Sequence, residues 1–595
     1  MEKLRLLRET IKLNGLDACI IPMTDPHMGE YVPDYWKIIQ WLSSFSGSAA
    51  TIVVTQEFAG LWTDSRYFIQ AERQLKGSGI ELMKLKVPHT PEYIDWICEN
   101  IETGSVMGFN SEVVSIGLFR QLKEKLEPSG VKLKGTRDLT QDLWTDRMEL
   151  PDSLVYDHTV FFAGLDRDEK IEKIRESMRE KGVNYHLLSA LDDIAWTFNI
   201  RASDVQYSPL AISFALISET NSLLFVDQDR ISMELRNDLL ESGVEILPYG
   251  QIYSTLTSLY SRARVYLSIA SVNTQLYNSI PEDCTIVEGI SIPTLNKSIK
   301  SGKEIAHVKN AMIRDGVALT KFYYWLENNL ASGELSEISV SEKLEEFRAE
   351  QDYFMGASFA TIAGYMEHGA IVHYEATTET DTTFATKGIF LLDSGGQYLD
   401  GTTDITRTIS LGNPTDKQKK DFTLVLKGTI QLAMCVFPEG TRGYQIEVLA
   451  RKALWNHGLN YGHGTGHGVG YFLNVHEGPQ NIGSSASGSN DIALQPGMLI
   501  SDEPGLYREG EYGIRTENLI VVKEVQETEF GKFLGFETLS LCYIDQKLID
   551  ADILEIEEIN WLNNYHKKVY GALSPFLDED IRDWLREKTK EMNND

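Results

Sequence analysis

Two stretches of this 595-residue chain each offer a pair of carboxylates on neighbouring strands. In GIFLLDSGGQYLDGTTDITRTIS (388–410) an apolar strand runs into Asp393, turns at SGG and returns through Asp404. In MLISDEPGLYREGEYGIRTENLIVV (498–522) one strand ends at Glu503 and the returning strand carries Glu517. The separations are 11 and 14 residues. Taken singly, an Asp in such a run is ordinary turn chemistry and a Glu is a solvated surface group. Four converging carboxylates cannot all stay ionised without cations, because like charges at close range disfavour the charged form. Divalent metal resolves that conflict. An oxygen-rich set with imidazole favours Mn²⁺, Fe²⁺, Co²⁺ or Zn²⁺ over a thiolate zinc site. Four carboxylates and one or two histidines are too many ligands for one small catalytic ion and suit two.

Six of the twelve histidines fall between His368 and His476. Two of them, His463 and His467, stand in YGHGTGHGVG (461–470). That stretch lacks the Lys-Ser/Thr of a P-loop and the glycine spacing of a dinucleotide fingerprint. Glycine permits close backbone approach and unusual dihedrals, so the loop can wrap under a cation cluster. One histidine can then ligate while the other faces substrate.

Long elements must hold these residues. KSGKEIAHVKNAMIRDGVALTKFYYWLENNL (300–330) predicts an amphipathic helix. Runs 415–437 and 441–459 predict two more, starting at Thr415 and Thr441. Closer to the N-terminus the order helix, strand, aromatic element and strand pair occurs twice, which predicts two related α/β domains at 1–150 and 155–300. ELPDSLVYDHT (149–159) reads as the linker between them, a catalytic domain fills 301–540, and 541–595 forms a helical extension.

Composition excludes several classes of protein. Lys+Arg total 56 against 87 Asp+Glu, a formal charge of −31 that repels nucleic acid and anionic membranes. The five dispersed cysteines form no CxxC pair and read as buried free thiols of a reducing compartment. Neither a signal peptide nor a membrane span is expected, so the expected location is cytoplasmic.

The order VHY (372–374), LLDSGGQY, GTTDITRT, GHGTGHGVG, NVHEGP (474–479), SDEPGLY and GIRTENL resembles the aminopeptidase P family, Xaa-Pro aminopeptidases of the pita-bread/creatinase superfamily. GSAATIVVTQEFAGLWTDSRYFIQAE and LDDIAWTFNIRASDVQYSPL resemble the two N-terminal domains of its long cytosolic form. The resemblance implies two creatinase-like α/β domains followed by a pita-bread catalytic domain, an α/β and α+β chain. It implies a metal-dependent hydrolase that releases the N-terminal residue from peptides with proline second. Carried over by position, Asp393 would chelate one metal, Asp404 and Glu517 would bridge both, and His467 and Glu503 would bind the second. Glu503 would also serve as general base. His373, His463 and His476 would be catalytic and substrate-binding histidines that ligate nothing, Arg515 would orient the carboxylates, and Arg66 would reach substrate. Two Mn²⁺ ions are implied, with Co²⁺ or Zn²⁺ compatible, and a homodimer. His368 and His457 match nothing in the family, and packing or surface roles are expected for them. A related Xaa-Pro dipeptidase would share the ligands but usually has one N-terminal domain. A ligand-depleted binding protein of the same fold is disfavoured by the complete ligand set.

Overall fold

The computed structural model describes residues 1–87, 90–484 and 491–592. They form two compact units: Met1–Val160 with Leu165–Thr294, and Phe161–Gly164 with Leu295 onward.

The first unit contains two six-stranded sheets of the same order. In one, Ala18–Pro22 lies between the antiparallel Thr51–Thr55 and the parallel Val106–Asn110. Ala59–Thr63 and Glu81–Lys84 extend one edge, and Lys132–Thr136 the other. In the second sheet Tyr185–Leu188 takes the matching place, between Phe214–Ser218 and Arg264–Leu267. Ser222–Phe225, Val244–Leu247 and Thr285–Glu288 complete it. The sequence repeat is therefore also a repeat of topology. The charged run preceding the second sheet becomes the helix Arg167–Lys181, started by a capping box of Asp166 and Glu169 and ended by Gly182 in the left-handed conformation. The segment read as a linker is partly ordered into the sheet framework, with Tyr156–Asp157 pairing with Ile200–Arg201.

In the second unit the predicted long helix spans Gly302–Asn329, opened by a capping box of Ser301 and Glu304. It buries Val308, Met312, Leu319, Phe322 and Leu326, one face at helical spacing. Ile362–Tyr365, Ile389–Ser394 and Ile405–Ser410 form an antiparallel sheet. A second antiparallel sheet runs Val436–Pro438, Gly531–Thr538, Asn518–Thr528, Leu499–Asp502. The Glu517 amide donates to the Thr406 carbonyl at 3.1 Å and ties the two sheets together. Asp416–Ala433 is a helix capped by Thr415 and Gln418.

The helix predicted from Thr441 differs. It starts after Arg442 and divides at Glu447 into Gly443–Ile446 and Val448–Trp455. The break turns the Glu447 carboxylate inward, where Arg451 and Thr465 donate to it. Two C-terminal helices, Ile556–Leu573 and Glu579–Lys588, close the chain. All five cysteines are free thiols, but only Cys19 and Cys542 are buried. Cys98, Cys284 and Cys435 are partly exposed because they lie at element edges and ends.

The glycine-histidine loop owes its composition to close approach. Gly466–His467 pairs with Asn481–Ile482 and passes so near Leu499–Asp502 that a Cβ on Gly466 would stand 1.9 Å from the Ser501 carbonyl oxygen. A Cβ on Gly468 would stand 2.0 Å from the Glu477 carbonyl oxygen. Neither glycine has a left-handed φ, so the unusual dihedrals expected from the sequence are not the reason at these positions. Gly466→Ala is expected to push the loop off the neighbouring strand and cost about 1–3 kcal/mol. Urea unfolding of the two proteins measures this, and an unchanged midpoint would exclude the steric role.

Candidate metal centre

Each carboxylate is set by the end of a strand. Asp393 is the fifth residue of Ile389–Ser394 and pairs with Thr406 across the ladder. Asp404 and Glu517, expected on the returning strands, stand one residue before Ile405–Ser410 and Asn518–Thr528. Glu503 directly follows Leu499–Asp502, whose Asp502 pairs with Asn518. Both halves thus deliver their acids from an antiparallel pair, Asp393 from within a strand and the other three from just beyond one.

The structure brings Asp404, His467 and Glu517 together, with one ligand atom of each lying within 4.8 Å of the others. His467 Nε2 is 3.4 Å from Asp404 Oδ2 and 3.6 Å from Glu503 Oε1. His467 Nδ1 is 2.9 Å from the Gly468 carbonyl oxygen. A carbonyl only accepts, so Nδ1 carries a proton and Nε2 is the nitrogen turned to the carboxylates. The His476 ring stands edge-on to His467, centroids 4.3 Å apart.

Arg515 links the carboxylates to the remaining site residues. Its Nη2 donates to Asp393 Oδ2 at 2.5 Å, its Nε to Thr406 Oγ1 at 3.0 Å and its Nη1 to the Tyr507 oxygen at 2.7 Å. Thr406 Oγ1 in turn donates to Glu517 Oε2 at 2.7 Å. Tyr507 O and His463 Nε2 are 2.8 Å apart, and His463 Nδ1 is 2.7 Å from the Gly464 carbonyl. With Nδ1 protonated, the Tyr507 hydroxyl donates to Nε2.

His373 follows the short helix Met366–Ala370. Buried Glu337 holds that segment at both ends, accepting from the Tyr365 amide (2.9 Å), the Tyr374 hydroxyl (2.8 Å) and the Thr382 amide (3.1 Å). His368 Nδ1 lies 2.9 Å from the same carboxylate, so His368 has the packing role expected for it. Arg66 belongs to the first unit and makes a two-pronged bond to Asp64, with both contacts at 2.8 Å.

Sequence reasoning missed Thr406, Tyr507 and Glu337. The first two sit inside the quoted motifs, yet a hydroxyl carries no spacing signal, and Glu337 lies 31 residues from His368 on another element.

Burial makes Glu503, Glu517 and Asp393 reluctant to ionise. It lifts Glu503 to about 7 although the His467 and Arg515 charges oppose the rise. Burial and the neighbouring Asp404, Asp393 and Glu503 hold Glu517 well above the carboxylate range. Asp393 is raised by burial, with Arg515 opposing and Asp404 adding to the rise. For His467 burial disfavours the charge, but the Asp404 hydrogen bond and the Glu503 charge outweigh it, giving about 9. Asp393 Oδ1 is buried without a hydrogen-bond partner among the described residues. An unfilled lone pair and mutually repelling acids are what a divalent cation would complete, so these residues fit one. No helix among the described residues is long and apolar enough to cross a membrane.

Residues 306–524 match the metallopeptidase family M24, and 532–592 match the C-terminal region of peptidase M24. Residues 3–147 and 146–304 each match a creatinase/prolidase N-terminal domain. The chain is 39% identical to a probable Xaa-Pro aminopeptidase P of Talaromyces marneffei over 99% of its length and 92% of the relative's. It is 38% identical to one of Aspergillus niger, covering 99% and 98%. The crystal structure of an X-prolyl aminopeptidase from Caenorhabditis elegans, a cytosolic enzyme with a di-nuclear active site, superposes with a TM-score of 0.94 at 35% identity over 99% of both chains. The Xaa-Pro dipeptidase from Bacillus anthracis shares the fold at 24% identity and a TM-score of 0.50, covering 63% of this chain and 98% of its own. With both units and the acid-histidine cluster included in likeness of that extent, the chain belongs to the aminopeptidase P family of M24 metallopeptidases.

Proposed function

We propose that this chain is a Xaa-Pro aminopeptidase, removing the N-terminal residue from peptides with proline second. The observation that carries the reading is likeness to the worm enzyme over 99% of both chains, with the N-terminal unit included. In this reading Asp393, Asp404, His467, Glu503 and Glu517 would hold two divalent ions, Mn²⁺ for preference, with Asp404 and Glu517 serving both. Bound there, the ions would supply Lewis-acid activation of the scissile carbonyl and of water. The enzyme would act in the cytoplasm as a homodimer.

The chain's own residues supply the rest. Glu503, which directly follows the strand Leu499–Asp502 and stands 3.6 Å from His467, would take the proton of the attacking water. Arg515 and Thr406 aim Asp393 and Glu517, so the carboxylate geometry is set before substrate arrives. The proton that Glu503 takes up would go to the leaving proline nitrogen, with His463, held by Tyr507 and Arg515, helping to move it. A bond to proline has no N–H. Recognition therefore falls to the ring's apolar surface and to groups such as His373 and His476.

Mass spectrometry on Arg-Pro-Pro, Ala-Pro and Arg-Ala-Ala tests the reading. Metal-dependent release of arginine from Arg-Pro-Pro alone is expected, whereas cleavage confined to Ala-Pro would indicate a dipeptidase. Asp404→Ala and Glu517→Ala are expected to lose both bound metal and activity. His463→Ala should keep metal and lose about 100-fold or more in kcat, and wild-type kcat would remove His463 from the chemistry.

Stability without metal should depend on pH. Glu503 rises from 4.5 to about 7, so its contribution falls as pH climbs between those values. His467 rises from 6.5 to about 9, and its stabilisation is lost as pH climbs through that window. Both signs agree. Calorimetry should show that added Mn²⁺ raises Tm more at pH 8.5 than at pH 5.5, and the reverse order would contradict the electrostatic account.

A further inference from the structure

Arg407, on the strand Ile405–Ser410, is buried and forms no ion pair among the described residues. Its guanidinium is satisfied entirely by neutral acceptors. Nη1 donates to the carbonyls of Thr406 (2.9 Å) and Glu517 (2.6 Å). Nη2 donates to Asn518 Oδ1 (2.8 Å), the Cys542 carbonyl (2.9 Å) and the Tyr565 hydroxyl oxygen (2.7 Å), and Nε to the Tyr543 carbonyl (3.0 Å). Half of these acceptors lie beside Glu517 and half in the C-terminal segment.

Tyr565 is the far anchor. It sits on the helix Ile556–Leu573 with its ring stacked on Trp561, and its oxygen also accepts from the Cys542 amide at 3.3 Å. Its hydroxyl has the Cys542 carbonyl at 2.9 Å, the Ser540 carbonyl at 3.1 Å and Asn518 Oδ1 at 3.2 Å as acceptors. One flat, five-donor group therefore joins the C-terminal helix to the backbone of Glu517 and Thr406, and the Thr406 side chain aims the Glu517 carboxylate.

We propose that the C-terminal segment is a working part of the metal centre, with Arg407 and Tyr565 as positioning residues that form a strut fixing Glu517 for its cation. This rests on the reading of Glu517 as a metal ligand. The strut acts on where the carboxylate stands, so its loss should weaken cation binding, beyond any loss of fold stability.

The test is Mn²⁺ affinity of the full-length, metal-stripped protein, by competition with a chelating dye, alongside Tm. Tyr565→Phe keeps the stacked ring and removes the hydroxyl, and Arg407→Lys keeps the charge and removes the fork. Each is expected to weaken Mn²⁺ binding about tenfold. Glu558→Gln serves as the comparison, because Glu558 bonds Lys427 and Gln431 and lies outside the strut. It should lower Tm and leave Mn²⁺ affinity unchanged. The proposal is overturned if Tyr565→Phe and Arg407→Lys bind Mn²⁺ like the wild type while Glu517→Gln does not. It is also overturned if Glu558→Gln weakens binding as much as they do, which would reduce the strut to general packing. Wild-type affinity in Glu517→Gln would instead remove the ligand reading, and this inference with it.

Discussion

Mutual repulsion among four carboxylates held in one buried place is the constraint to which the second unit is built. Water would ordinarily disperse such charges. Here burial prevents that, and Glu503 and Glu517 are driven up in pKa. Arg515 and His467 bring positive charge beside them, but among the described residues Arg515 is bonded to only one of the four acids. The remainder of the deficit is a demand for cations, which agrees with membership of a metallopeptidase family.

Rigid positioning of like charges requires a frame that does not yield. Two antiparallel sheets provide it, joined where the Glu517 amide meets the Thr406 carbonyl. Asp404, Glu503 and Glu517 stand just past the ladders while their strand neighbours remain locked in register, and Asp393 sits within one. The glycine-histidine loop fits against this frame only because Gly466 and Gly468 lack side chains. Its His467 then meets the acids with a tautomer fixed by the Gly468 carbonyl. Elsewhere in the same unit a buried, hydrogen-bonded glutamate, Glu337, holds the turn before His373.

The first unit carries two sheets of one strand order. The dipeptidase from Bacillus anthracis covers 63% of the chain, whereas the worm aminopeptidase covers 99%. Within each sheet the order of strands is the same, although the two segments share only a loose pattern of apolar runs. The same order tolerates different residues because the inner strands are continuous buried apolar runs, which many sequences supply.

The sequence by itself determined the strands that lead into and out of the acids, the long helix near 300–330, the helix start at Thr415 and the doubled N-terminal architecture, but not the extra strands Gly396–Tyr398 and Gly505–Arg508 within the two connections. These are local facts, written in periodicity, caps and turn residues. It misjudged the helix after Thr441, since the break at Glu447 answers to Arg451 and Thr465, the latter 18 residues away. Only the tertiary structure decided which hydroxyls and cations serve the acids. Thr406 meets Glu517 across 111 residues, and Arg407 meets Tyr565 across 158. Hydrogen bonds between side chains so distant in sequence have no period and no fixed spacing. They exist only once packing has excluded water and left buried donors to find their acceptors within the fold.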